Sequence, residues 1–276
     1  MRRWVLAFCA IIVMAAADRL SAADRFIVLA STTSTEQSGL FASLLPKFRA
    51  ATGIEVRVVA VGTGQALLLG TRGDADALLV HDRTGEEDLV AKGHALDRQD
   101  VMFNDFVIVG PKDDPAKVAG LKDVKQALRK IAAAKALFVS RGDDSGTHRL
   151  ELRLWKAVEI GTDYRNPGWY RELGTGMGPT LNTAAGLNAY VIADRATWAS
   201  FKNRQQLDLL VDGDKLLFNP YSSLRVNPDK GAHIRTADAR IWHEWLISEA
   251  GQKAIAEFKI DGAQVFFPSY AAAPTR

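Results

Sequence analysis

Three times along this 276-residue chain, a short apolar strand leads into small and hydroxyl residues and then into a helix. The first junction spans 29–40 and contains five consecutive hydroxyl residues at 31–35, the second is Gly-Thr-Gly at 62–64, and the third spans 140–148. Strand-helix units in succession predict a parallel sheet whose ligand crevice lies at the carboxyl ends of its strands. This repetition restricts the fold more than composition does.

Junctions of this kind favour an anion. A helix begins with backbone N–H groups that have no partner inside the helix, and these groups carry the positive end of the helix dipole. A cap requires one hydroxyl, and capping alone is the alternative explanation for each cluster taken singly. The third junction adds Arg141, whose planar fork of donors suits oxyanions, unless it pairs with Asp143 or Asp144 instead.

Periodicity and turn residues predict the remaining elements. Asp194 is expected to cap the helix at 195–201, and the stripe formed by Ile241, Trp242, Trp245 and Leu246 is expected to pack in a core rather than to bind a ligand. The predicted strands are 25–30, 54–61, 76–80, 101–111, 136–139, 189–193, 207–211 and 216–226. The predicted helices are 39–51, 63–70, 86–93, 121–134, 149–158, 179–188, 195–201, 237–248 and 251–258.

The first 23 residues have the pattern of an export signal. Arg2 and Arg3 precede an apolar stretch at 4–17, and Ser21-Ala22-Ala23 forms a small-residue cleavage site. Cys9, the single cysteine, lies in the apolar stretch, so we expect an exported, periplasmic mature protein without thiols. Removing three basic residues and one acidic residue with this segment lowers the formal charge from +3 to +1, and no basic stripe indicates nucleic-acid binding.

The motifs at 31–35, 62–64, 76–81 and 140–147 together resemble those of the tungstate-binding periplasmic proteins of ABC transporters. The resemblance extends over almost the whole mature chain, in order and at fitting spacings. It implies a bilobed α/β fold in which two crossing strands join the lobes and a tetrahedral oxyanion lies in the cleft. The implied division is a signal peptide at 1–23, lobe 1 at 24–110 and 216–276, and lobe 2 at 111–215.

The same resemblance implies the residues that contact the oxyanion. Relatives usually open with Thr-Thr-Thr-Ser where this chain has Ser31-Thr32-Thr33-Ser34, so the assignment of hydroxyls to contacts stays open by one residue. From the first lobe the candidates are Ser31, Thr32, Thr33, Ser34, Thr63 and Gly64. From the second lobe they are Arg141, Ser145, Gly146 and Thr147.

The implied function is that of the substrate-binding component of an ABC importer. Such a protein would capture tungstate in the periplasm and deliver it to a membrane permease, as a monomer, without a cofactor and without cation ligands. Molybdate is an alternative ligand of nearly the same shape, and phosphate is another if Asp143 or Asp144 accepts its remaining proton. Two further alternatives are a sensory ligand-binding domain and an exported hydrolase with Ser34 or Ser145 as nucleophile and His81 or His148 as base.

Overall fold

The computed structural model describes residues 25–160 and 168–269, so the predicted export signal lies outside the described residues. None of the helices in these ranges is long and apolar enough to cross a membrane. The strands are β1 (Phe26–Thr32), β2 (Glu55–Val61), β3 (Ala77–Val80), β4 (Ala95–Pro111), β5 (Phe138–Ser140), β6 (Tyr170–Glu172), β7 (Val191–Asp194), β8 (Leu207–Val211), β9 (Phe218–Val226), β10 (Lys259–Ile260), β11 (Ala263–Gln264) and β12 (Phe267–Pro268). The helices are α1 (Thr33–Gln37), α2 (Leu40–Thr52), α3 (Thr63–Arg72), α4 (Arg83–Ala91), α5 (Val124–Ala133), α6 (Gly146–Ala157), α7 (Met177–Leu187), α8 (Arg195–Ser200), α9 (Thr236–Ile247) and α10 (Glu249–Glu257).

The first lobe is built on a sheet with the strand order β12-β4-β9-β3-β1-β2. β1 pairs in parallel with β2 on one side and with β3 on the other. β9, β4 and β12 join the same sheet in antiparallel pairs, whereas the predicted parallel pairing is confirmed for β1, β2 and β3. Because these three strands share one direction, their carboxyl ends lie at the same edge of the sheet, and the first two junctions meet there.

Both faces of this sheet are buried. Ile27 and Leu29 of β1 pack on one face with Phe48 of α2 and Trp242 of α9, whereas Leu78 and Val80 of β3 pack on the other face with Ala66 of α3. The rings of Phe48 and Trp242 meet edge to face with centroids 4.9 Å apart. The predicted role of the tryptophan stripe in packing is confirmed, since Trp242 and Trp245 both belong to this core.

The second lobe repeats this arrangement on a smaller sheet. The last residues of β4 pair antiparallel with β7 and β8, while β5 pairs in parallel with β6. Phe106 and Ile108 of β4 enter one core with Trp155 of α6, and Val107 and Val109 enter the opposite core with helix α7. The sheet thus has helices on both faces, as expected of an α/β lobe.

Two strands cross between the lobes. β4 pairs with β9 over Ala95 to Asp105, and its partners change to β7 and β8 from Phe106 onward. β9 begins at Phe218, opposite Asp105, and returns the chain to the first lobe. The cleft therefore lies next to the segment of β4 where one set of partner strands replaces the other.

Candidate functional site

The second and third junctions of the sequence meet across the cleft. Thr63 is the first residue of α3, and its Oγ1 accepts a hydrogen bond of 2.8 Å from the backbone N–H of Gly146, the first residue of α6. Ser145 caps α6, its Oγ accepting from the N–H of His148 at 3.2 Å. An added Cβ at Gly64 would lie 2.9 Å from Oδ2 of Asp144 and 3.0 Å from Nη2 of Arg149. A larger residue at position 64 would therefore have to displace this ion pair.

The hydroxyls of the first junction divide between strand and helix. β1 continues through Ser31 and Thr32, two residues beyond its predicted end, and the short helix α1 then begins at Thr33. The Ser31 hydroxyl donates to the Leu79 carbonyl of β3 at 2.7 Å and so joins two strands. Thr32 caps α1, and Oγ of buried Ser34 lies 3.1 Å from Oγ1 of Thr32. Thr33 is partly exposed.

Arg141 is buried in the second lobe and paired within its own loop. Its Nε and Nη2 donate to Oδ2 of Asp143 at 3.1 and 2.6 Å, and Oδ1 of Asp143 accepts from the N–H of Ser145 at 3.2 Å. Of the two possibilities that the sequence leaves open for Arg141, the ion pair is present. A guanidinium has five N–H donors, so those not directed at Asp143 are left for an anion.

Thr147 lies in the first turn of α6, and only 1% of its surface is exposed. Its Oγ1 is buried and has no hydrogen-bond partner among the residues that the structure describes. Leaving a buried hydroxyl unpaired costs about 1–3 kcal/mol. This orphaned donor next to Gly146 indicates a ligand that supplies an acceptor.

His81 is a site residue that the sequence reasoning considered only as a catalytic base. It directly follows β3 at the same sheet edge as the hydroxyl run, which is the signal that could have assigned it to the site. Its Nε2 lies 3.2 Å from Oγ1 of Thr32 and 3.4 Å from Oγ of Ser34. His148, the other candidate base, accepts from the N–H of Asp144 at 3.1 Å on the second lobe.

Arg149 makes an ion pair across the cleft that the sequence did not predict. Its Nη1 lies 2.7 Å from Oδ2 of Asp82 in the first lobe, while its Nε and Nη2 bind both carboxylate oxygens of Asp144 at 2.9 and 2.7 Å. Asp82 and Arg149 are 67 positions apart, and no local motif links them. Because the Asp82 side chain is 5% exposed, this pair closes one side of the cleft.

Known proteins resemble this chain over most of its length. The model of the PBP superfamily domain matches residues 17–250. The tungstate-binding protein TupA of Peptoclostridium acidaminophilum is 48% identical over 249 residues, which is 89% of this chain and 86% of that protein. This chain belongs to the TupA family of tungstate-binding proteins.

The structure of TupA from Desulfovibrio alaskensis G20 is 44% identical in sequence, with a TM-score of 0.79 over 90% of this chain and 100% of that chain. The tungstate ABC transporter structure from Geobacter sulfurreducens is also 44% identical, with a TM-score of 0.77 over 84% of this chain and 98% of that chain. The predicted bilobed periplasmic-binding-protein fold is confirmed by these likenesses and by the family model.

Substituting Gly146→Ala tests the close contact between the lobes in this TupA-family protein. The new methyl group would lie 3.1 Å from Cε1 of His81 and 3.3 Å from Oγ1 of Thr63, and a buried, hydrogen-bonded ring yields little. We expect oxyanion affinity to fall by about tenfold or more in calorimetric titrations. Gly186→Ala on α7 is the matched control, because no heavy atom lies within 4 Å of its added Cβ. Equal affinities of the two variants would contradict the tight contact.

Substituting Arg141→Ala tests the buried guanidinium. The change removes a charged donor and leaves the carboxylate of Asp143 without its partner, so we expect oxyanion binding to weaken by well over tenfold, or more than about 1.4 kcal/mol. Calorimetry against the same oxyanion measures the loss. Arg240→Ala, at an exposed ion pair with Glu244 on α9, is the control and should bind normally. Wild-type affinity in Arg141→Ala would remove Arg141 from the site.

Proposed function

We propose that this protein is the substrate-binding component of an ABC importer, and that it captures tungstate between its lobes and delivers the ion to a membrane permease. The observation that carries the proposal is the convergence of buried donors from both lobes, among them the unpartnered hydroxyl of Thr147. The names of the TupA relatives support the identity of the ligand. Periplasmic location and a monomeric state belong to the same proposal.

The donor chemistry supports a fully deprotonated tetrahedral oxyanion. A buried dianion loses its hydration, and this loss is offset when each oxygen receives N–H or O–H donors. The first lobe offers hydroxyls at Thr32, Thr33 and Ser34, and the second offers the start of α6 together with Arg141. Since Asp143 balances the charge of Arg141, most of the stabilisation comes from neutral, preoriented donors.

Ion pairs compete with phosphate for the two carboxylates that could accept its proton. Monohydrogen phosphate needs an acceptor for its proton, and Asp143 and Asp144 are the two acids that the sequence offers for this role. Both oxygens of Asp143 accept from Arg141 and from the N–H of Ser145, and both oxygens of Asp144 accept from Arg149. Neither acid therefore has a carboxylate oxygen without a partner.

Calorimetric titration of the mature protein with tungstate, molybdate and phosphate tests the proposed ligand. We expect tight binding of tungstate and weak binding of phosphate, because the two candidate acceptors are already engaged in ion pairs. Molybdate, with nearly the same shape and charge, is the closest competitor and shows how far the cavity discriminates by size. Tighter binding of phosphate than of tungstate would contradict the proposal.

One observation favours a second candidate, an exported serine hydrolase. Oγ of Ser34 lies 3.4 Å from Nε2 of His81, and Nδ1 of His81 lies 3.0 Å from Oδ1 of Asn219. In a serine hydrolase, these three residues would be the nucleophile, the base and the residue that orients the base. Thr32, however, lies closer to the same Nε2, at 3.2 Å, and competes for it.

Turnover assays on ester and phosphoester substrates distinguish a hydrolase from a binding protein. We expect no turnover above that of the Ser34→Ala variant, because the Ser34 hydroxyl shares His81 with Thr32 and is placed as a donor to an anion. Turnover by the wild type that Ser34→Ala abolishes would favour the hydrolase over the transport protein.

A further inference from the structure

His81 occupies the point where the first lobe, the second lobe and the crossing strand β9 meet. Its ring stacks on Tyr221 of β9 with centroids 4.6 Å apart and an interplanar angle of 20°. Its Nε2 faces the hydroxyls of Thr32 and Ser34, and its Cε1 lies beside Gly146 of the second lobe. His81 is 7% exposed, so its ring is buried among these partners.

The hydrogen bonds around the ring determine which nitrogen carries a proton. Nδ1 of His81 lies 3.0 Å from Oδ1 of Asn219. The Nδ2 amide of Asn219 donates to Oδ1 of Asn104 at 2.7 Å and to Oδ2 of Asp194 at 3.1 Å, so Oδ1 of Asn219 is left as an acceptor. Nδ1–H of His81 therefore donates to Asn219, and Nε2 of the neutral ring is bare and accepts from Thr32 or Ser34.

The charged groups that act on the ring come from three places. Asp194 caps α8, Asp82 precedes α4 and Arg141 follows β5. Burial lowers the pKa of His81 below its ordinary value, and Arg141 lowers it further, whereas Asp194 and Asp82 raise it. Burial is the largest of these influences, so it favours the neutral ring in the absence of a ligand.

The ionic groups of the site carry more negative than positive charge. Arg141 is paired with Asp143, and Arg149 is paired with both Asp82 and Asp144, while Asp194 is neutralised by no arginine in these pairs. The four carboxylates of Asp82, Asp143, Asp144 and Asp194 and the two guanidinium groups together leave two negative charges. A dianion entering this site adds two more, so an additional positive charge next to it is strongly favoured.

We infer that His81 takes up a proton when the oxyanion binds, so that the dianion and one proton enter the site together. The inference rests on the proposed function, since it requires a dianionic ligand. A proton from the solvent buffer forms a bond to Nε2, and the ring becomes an imidazolium that donates from both nitrogens. Thr32 and Ser34 then no longer donate to Nε2, and their hydroxyl hydrogens turn toward the oxygens of the anion.

Titration calorimetry with tungstate, in buffers of different ionisation enthalpy, measures the protons taken up. We expect about one proton per tungstate ion near pH 7. Affinity should fall by up to about tenfold per pH unit as the pH rises through and above neutrality, since the pKa of the free ring is lowered and fewer protons are then available to Nε2. Tight tungstate binding without proton uptake over this range would overturn the inference, whereas no binding of tungstate would overturn the proposed function instead.

Three variants assign the proton to a residue. His81→Gln keeps a side chain that forms hydrogen bonds without titrating, and it should bind tungstate more weakly, without proton uptake and with a flat pH profile. His243→Gln is the matched control, because His243 is also buried and bonded to a hydroxyl, that of Ser223 at 3.0 Å, but lies on α9 outside the cleft. It should retain the uptake of the wild type.

Glu86→Gln tests one of two carboxyl groups that also titrate near neutrality, the second being Glu151 of α6, whose pKa burial likewise raises to about 7. Burial raises the pKa of Glu86 to about 7, and its Oε1 accepts from the N–H of Asp82 at 2.8 Å. Proton uptake that persists in His81→Gln and disappears in Glu86→Gln would overturn the assignment to His81. Uptake that persists in Glu86→Gln and disappears in His81→Gln supports it.

Nitrogen NMR of the wild-type protein labelled at its histidines gives a test that depends on no variant. Without tungstate, we expect one histidine in the neutral form protonated at Nδ1, and on addition of tungstate the same ring should show the imidazolium pattern at both nitrogens. Histidine signals that stay unchanged upon saturation with tungstate would overturn the inference.

Discussion

The buried carboxylate of Asp194 lies where the lobes join, and much of the structure depends on it. It is 1% exposed, and its Oδ1 accepts from the backbone N–H groups of Ala196 and Thr197 at the start of α8. Its Oδ2 accepts from Asn104 on β4 and from Asn219 and Tyr221 on β9. A buried charge is tolerated only when it is fully hydrogen-bonded, so this one carboxylate holds both crossing strands in register with the second lobe.

The geometry of the anion site depends on the hydrogen bonds that Asp194 accepts. Asp194 orients the amide of Asn219, and Asn219 in turn orients the ring of His81 by a hydrogen bond. The ring lies within hydrogen-bond distance of the hydroxyls of Thr32 and Ser34. The opposite wall is set independently by the Arg141–Asp143 pair and by Ser145, which caps α6. The wall that contains His81 thus depends on a carboxylate at the end of β7, whereas the opposite wall is held by contacts within the second lobe.

The sequence predicts the features that arise from local pattern, and it fails where distant residues decide. The apolar runs of β1, β2 and β3 and the capping role of Asp194 could be predicted, because strand periodicity and capping chemistry are local. β4 was expected to begin at position 101 but begins at Ala95, since its polar first residues pair with β9, more than a hundred positions away. The pairing of Arg149 with Asp82 and the ring orientation of His81 depend on the same long-range assembly, which no motif reports.

Two kinds of contact favour the closed arrangement of the lobes: contacts between protein groups, and contacts from protein groups to a bound ligand. Only the second kind depends on the ligand. The Thr63–Gly146 hydrogen bond and the Asp82–Arg149 ion pair join protein groups only, so they favour closure equally whatever lies in the cleft. A ligand shifts the equilibrium between open and closed forms only by its differential affinity for the two. Closure can therefore depend on the ligand only through donors that have no partner within the protein. The Thr147 hydroxyl and the donors of Arg141 that are not directed at Asp143 are such groups. A permease that responds to the closed form responds, through these few donors, to the oxyanion.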